Sequence, residues 1–218
     1  MLRDELKRRI TRLESLPTLP GVVIRLFEVT HDERSDCRDV AKVIESDQAL
    51  TAQVLRLVNS PLFMFRSPIT TVRRAAAALG YEAIRCMALG MGVARAFPMT
   101  GGDGPFQMKE FWKHSVGCAV AAKLLAERSR TTVDEGEAFA AGLLHDMGKA
   151  VLSLCLGNTY DSVVSHAREA DASLIEVEDE RLGVTHTQAG KWLADAWGLP
   201  SILTQAVWLH HQPGAVRT

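Results

Sequence analysis

Six of the seven histidines fall in the second half of the chain, and five of them, His114, His145, His186, His210 and His211, stand where helices expose or end. His145 stands beside Asp146, inside the run Leu143-Leu144-His145-Asp146-Met147-Gly148-Lys149. Imidazole nitrogen and carboxylate oxygen together suit first-row divalent ions. Successive residues of a regular helix point about 100° apart, so a helix interior cannot aim both at one pocket. The pair therefore predicts a helix end, where Gly148 lets the backbone turn. A carboxylate carried inward there needs a cation or several donors. A plainer reading of the pair is a hydrogen-bonded couple that orders the loop. Lys149 begins the next helix, where it could neutralise a phosphate with help from exposed amides; the plain reading is a solvated lysine.

The other candidates differ in their surroundings. His114 shares a face with Gly117, Cys118 and Ala121, small residues that leave room for an ion. His186 shares a face with Leu182, Ala189, Gly190 and Leu193, so it turns inward, and core hydrogen bonding and ligation remain equally open. His210 and His211 close a helix, where one could ligate and the other support it. Glu110, one turn before His114, could add a carboxylate for an extra ion, although a solvated surface glutamate is the simpler reading. His31 and His166 lack partners in sequence and read as surface residues. Trp112, Trp192, Trp197 and Trp208 read as core anchors, not as a platform for bases.

The elements that must position these groups are helical throughout, since apolar residues recur at i, i+3 and i+4 and strand alternation is absent. A charged amphipathic helix is expected over about 2–14, ended by Ser15-Leu16-Pro17. Pro20 suits the first turn of a second, with Val22, Ile24, Leu26 and Val29 on its buried side. Ser35 or Asp36 caps a third, with Val40, Val43 and Ile44 inward. Asp47 caps a fourth, carrying Leu50, Val54, Leu57 and Val58, and Asn59-Ser60-Pro61 ends it. Thr70 or Thr71 opens Val72–Leu79, Gly80 fits the position after it, and another helix reaches about Phe97.

Pro98–Pro105 is the clearest break, and its letters GGD lack the hairpin that a cyclase signature would need. Two helical lobes are expected around it, over 1–100 and 106–218. The second holds helices over about 106–129, 134–145, a short one near Gly148, 159–170, 174–182, 185–197 and 200–211. Ser173-Leu174-Ile175-Glu176 reads as a capping box.

Composition bounds the function. The chain has 218 residues, 47% of them hydrophobic, enough for a sizeable core. Its net charge is −1, too weak a field to make nucleic acid or an anionic membrane a main partner. Cys37, Cys86, Cys118 and Cys155 form no CxxC pair and read as reduced core thiols. The charged N-terminus is not expected to be a signal peptide. No segment is expected to span a bilayer, and the reduced thiols suit an expected cytoplasmic location.

The stretch GLLHDMGK resembles the signature of the HD superfamily of metal-dependent phosphohydrolases, and the helix around His114 resembles its upstream histidine helix. Thr185-His186-Thr187-Gln188-Ala189-Gly190 and His210-His211 are similar to the additional ligands of the HD-GYP branch, with gaps of 31, 41 and 24 residues between His114, His145, His186 and His210. In the first lobe, Leu16-Pro17-Thr18-Leu19-Pro20, Asp47-Gln48-Ala49-Leu50-Thr51, Leu55-Arg56-Leu57-Val58-Asn59-Ser60 and Ala78-Leu79-Gly80 resemble an HDOD domain over about 15–218.

The HDOD resemblance implies an all-α, two-lobed bacterial signal-transduction module that works through a partner protein and carries an intact or vestigial HD-type metal site. It implies Fe or Mn at His114, His145, Asp146, His186, His210, His211 and Glu110, with Zn, Ni or Mg also compatible, as one ion or two. The alternative is a metal-dependent phosphohydrolase acting on a phosphodiester, phosphomonoester or nucleotide, with Asp146 and Lys149 in catalytic positions. Two departures stand out: no aspartate follows His211 within these residues, where the HD superfamily closes its metal site, and HHQPGAVRT stands where HD-GYP proteins carry HHE and the GYP segment, which weighs against cyclic di-GMP hydrolysis.

Overall fold

The structure is a computed structural model that describes residues 2–12, 20–31, 36–97, 104–129 and 133–215. The described residues form α-helices and one short 3-10 turn, with no strand among them. The chain is all-α, as its periodicity requires. Leu16 to Leu19, Ser35, the GGD segment and the last three residues lie outside the described set, as do the side chains of His31 and Cys37.

Two compact units divide the chain. One comprises α2 (Gly21–His31), α3 (Cys37–Glu45), α4 (Gln48–Val58), α5 (Val72–Leu79), α6 (Tyr81–Ala94), residues 118–128 of α7 (Met108–Arg128) and nearly all of α8 (Glu135–Leu144). Local chemistry sets its helix starts. Asp36 caps α3 with a reciprocal capping box, in which its carboxylate accepts from the Asp39 amide and the Asp39 carboxylate accepts from the Asp36 amide. Asp47 caps α4 by accepting from the Leu50 amide, and Thr71 caps α5 by accepting from Arg74. Gly80 takes a φ of +90° between α5 and α6. Pro20 lies before α2, not in its first turn; its carbonyl accepts from Val23 and Ile24 at 2.8 and 3.3 Å. The buried side of α2 is Val22, Val23 and Leu26, and Ile24 is 47% exposed, a correction to the expected stripe. Val22, Val23 and Leu26 fall within one arc of the helical wheel, and Ile24 lies outside it.

The other unit holds α1 (Leu2–Thr11), residues 108–117 of α7, and α9 (Met147–Leu156), α10 (Asn158–Glu169), α11 (Leu174–Leu182), α12 (His186–Ala196) and α13 (Ser201–Leu209). Its helices pack through apolar side chains such as Leu6, Ile10, Leu152, Leu193 and Leu203, each essentially inaccessible to solvent. Arg9 on α1 donates to the Cys155 carbonyl on α9 at 3.3 Å.

An aromatic chain secures the start of α7. Trp197 and Trp112 both contact Phe97, Trp112 meets Phe111, and Phe106 bridges Phe111 to Tyr160, with centroids 4.8–6.3 Å apart. Asp161 accepts from the Phe106 amide at 3.0 Å and fixes the segment leading into the helix. Trp112 and Trp197 are therefore the core anchors the sequence suggested. Trp208 is not: it is 44% exposed, with Lys191 over its ring at 5.2 Å.

Two further expectations change. Ser173 precedes α11 but makes no side-chain cap; its carbonyl accepts the Glu176 amide at 3.1 Å. The contiguous stretch Glu135–Leu156 is long and apolar enough to cross a membrane by length and composition. It is, however, broken at His145-Asp146 into α8 and α9, and 56% of its most apolar window is buried in the protein. At 1.5 Å per residue, ten-residue helices such as these reach about 15 Å, half a bilayer core.

Candidate metal centre

The His145-Asp146 pair lies where its sequence placed it, in the turn between α8 and α9. Asp146 occupies the N-cap position of α9, yet its carboxylate caps nothing. It points inward and is 2% exposed.

Five groups surround that carboxylate. His145 and His114 bring Nε2 to 3.3 and 3.5 Å from Oδ2, and Lys149 Nζ stands 2.6 Å from the same oxygen. His210 and His186 bring Nε2 to 3.2 and 3.5 Å from Oδ1. Burial raises the Asp146 carboxyl pKa, but the contacts with the His145 and His210 rings and with Lys149 more than reverse this. They hold it well below the usual carboxylate range, so the group stays ionised. Lys149, its side chain 21% exposed, is ion-paired with Asp146.

Close helix packing makes this convergence possible. Gly148 on α9 and Gly190 on α12 let the two backbones approach, with no room for a Cβ at either position. Thr185 caps α12 by accepting from the Gln188 amide at 3.3 Å, which sets His186 at the first helical position.

The ring nitrogens on the far sides fix the tautomers. His186 Nδ1 lies 2.6 Å from Glu178 Oε2, and His210 Nδ1 lies 3.0 Å from the Val207 carbonyl. Both partners accept only, so each Nδ1 carries the proton. That leaves Nε2 of each ring turned toward the cluster, and these two nitrogens face each other at 3.3 Å. Asp146 Oδ1 beside them is buried without a hydrogen-bond partner. Two ring nitrogens and a buried carboxylate oxygen this close require a cation or a shared proton among them. Ligand atoms of Asp146, His186, His210 and His211 all lie within 4.8 Å of one another. This donor set fits a first-row divalent ion.

His211 approaches from the rim, its ring 4.4 Å from that of His210. Burial, with His210 and His186 adding to it, lowers its pKa, and burial likewise lowers that of His114 against the pull of Asp146. Neutral rings are the ligating form. Glu110 stays outside the group: it is exposed and accepts from Lys113 at 2.6 Å. It does line a cleft of about 470 Å³ that opens on His114, Asp146 and Lys149 and is floored by Phe106, Phe111 and Leu174. His166 is half-buried on α10 and plays no part in the centre.

Glu178 and Tyr160 escaped the reading of the sequence. Glu178 is fully buried; it accepts from the His186 amide at 2.7 Å and from the Tyr160 hydroxyl at 2.7 Å, besides the imidazole. Burial and the neighbouring Glu178 push the Tyr160 hydroxyl well above its usual pKa, so it remains a donor. A signal was present: Leu174, Glu178 and Leu182 stand four residues apart, which puts a carboxylate in the apolar stripe of α11.

Fold and centre define an all-helical protein built around a histidine–aspartate cluster able to hold a metal ion. The family model for the HDOD domain matches residues 16–213, and the chain belongs to the HDOD domain family. A solved HDOD domain protein of unknown function from Geobacter sulfurreducens is 30% identical with a TM-score of 0.79, covering 98% of this chain and 71% of its own. A protein of Shewanella amazonensis SB2B, assigned provisionally as a phosphohydrolase, is 26% identical with a TM-score of 0.78, covering 97% and 73%. A protein of Marinobacter aquaeolei VT8, assigned provisionally to signal transduction, is 27% identical with a TM-score of 0.73, covering 100% and 51%. An uncharacterized protein of Treponema pallidum (strain Nichols) is 21% identical over 200 residues; the match spans 92% of this chain and 38% of that protein.

Proposed function

We propose that the chain is a cytoplasmic bacterial signalling module whose helical surface is read by a partner protein, and whose histidine–aspartate centre holds a divalent ion that fixes the packing of α9, α12 and α13. The observation that carries this reading is the unpartnered Asp146 Oδ1 facing the two Nε2 atoms of His186 and His210. Fe or Mn is the first choice of ion, with Zn, Ni or Mg compatible with the same donors. His186, His210, Asp146 and His211 would hold it, and a bound ion would supply Lewis-acid chemistry and polarise a ligand. Lys149 already occupies the Oδ2 side of the carboxylate, which supports one ion rather than two. The Marinobacter relative supports the signalling role.

One observation favours a second reading, a metal-dependent phosphohydrolase. The cleft beside His114 and Lys149 offers room for a phosphate ester or nucleotide next to the centre, and the Shewanella relative carries that provisional assignment.

The two readings separate in one experiment. Protein purified without chelator is analysed for metal, then assayed with generic phosphodiester, phosphomonoester and nucleotide substrates in added Mn or Fe. Bound metal without turnover is expected. Turnover that disappears in both His145→Ala and Asp146→Ala would overturn the signalling reading in favour of the enzyme.

A further inference from the structure

Asp146 is the one carboxylate in the four-residue donor group, so an ion there would meet a single direct negative charge. A second carboxylate stands one imidazole away. Glu178 Oε2 accepts from both the amide and the Nδ1 of His186, at 2.7 and 2.6 Å. Its other oxygen accepts from Tyr160 at 2.7 Å. Neither group has an exposed surface through which water could substitute. Tyr160 is in turn held by its edge-on contact with Phe106, 5.6 Å between centroids.

We propose that Glu178 is the second carboxylate of the centre, a positioning residue that acts on the ion through the ring of His186. This inference rests on the metal-centre reading above. The hydrogen bonds do two things. They fix the Nδ1–H tautomer, so that Nε2 faces Asp146 and His210 as a donor. They also place a negative charge against the far side of the ring, which raises the electron density Nε2 offers a cation. Tyr160 keeps the Glu178 carboxylate from rotating away, because its hydroxyl has that oxygen as its partner. The sequence Tyr160, Glu178, His186 thus forms one hydrogen-bonded line from α10 through α11 to the start of α12.

The test compares wild type with Glu178→Gln, Glu178→Ala and Tyr160→Phe, titrated with Mn2+, Fe2+ or Zn2+ alone. In parallel, the ring nitrogens of His186 are followed by 15N NMR in metal-free protein. Glu178→Gln keeps the shape and an acceptor, so it separates charge from folding if Glu178→Ala fails to fold. Its affinity is expected to fall about 10- to 100-fold. Tyr160→Phe is expected to lose less, and the wild-type His186 signals should show the Nδ1–H form, with that form diminished in Glu178→Ala, which removes the acceptor. Glu178→Gln binding as tightly as wild type would overturn the proposal alone. A wild-type protein that takes up none of the three ions would instead remove the metal centre itself. The NMR arm then still decides whether Glu178 sets the tautomer, and a wild-type His186 in the Nε2–H form would refute that too.

Discussion

Gly148 and His186 meet backbone to backbone: a Cβ at position 148 would overlap the His186 carbonyl oxygen. The obstacle is main chain on a packed helix, not the end of a flexible side chain, so it cannot swing aside. Gly148→Ala is expected to cost about 3 kcal/mol. It should also abolish metal uptake, because it separates α9, which carries Asp146, from α12, which carries His186. Urea denaturation and metal analysis of the same preparation check both halves, and a variant as stable as wild type contradicts the packing account.

Lys149 competes with an ion for Asp146. Its ammonium stands 2.6 Å from Oδ2 and supplies positive charge whether or not an ion binds. Lys149→Met should therefore bind Mn2+ or Zn2+ several-fold more tightly while losing stability in the metal-free state. Calorimetric titration measures the first and thermal melting in chelator the second. Weaker metal binding in Lys149→Met would show that the lysine supports the ion instead.

Glu110 serves as the control among the residues that the sequence nominated. It pairs with Lys113 on the exposed side of α7. Glu110→Ala should leave metal affinity within about twofold of wild type. A tenfold loss, read in the same titration, would bring Glu110 back into the centre.

Most of the fold could be read from the chain, and the reasons are local. Asp36, Asp47 and Thr71 cap the helices they announce, since a short polar side chain at that position has amides directly in front of it. The convergence of His114, His145, Asp146, His186 and His210 was what the resemblance to the HD signature implied; the residues alone left core hydrogen bonding and ligation equally open at His186. Glu178 was hidden because its partner Tyr160 lies 18 residues away on another helix, and only tertiary packing joins them. Ile24 and Trp208 were misplaced for a related reason: apolar character predicts burial on average, but the neighbouring helix decides which arc of the wheel is covered.

Stability should depend on pH through Asp47. The Leu50 amide lowers its carboxyl pKa, partial burial opposes that, and Arg95 adds to the lowering. A group whose pKa is lower folded than unfolded contributes stability above its unfolded value, 3.8 for aspartate, and loses it as pH falls through the folded value. Asp47→Ala should thus cost about 1 kcal/mol at neutral pH. The gap from wild type should narrow in urea melts run toward the lower, folded pKa. A gap that widens on acidification contradicts the assignment.

The most direct test of the centre is anomalous diffraction at the metal edge, on crystals of protein supplied with Mn2+ or Zn2+. The account predicts one peak at roughly 2.0–2.2 Å from Asp146 Oδ1 and the Nε2 atoms of His186 and His210. Clear density for these side chains with no peak among them would contradict it.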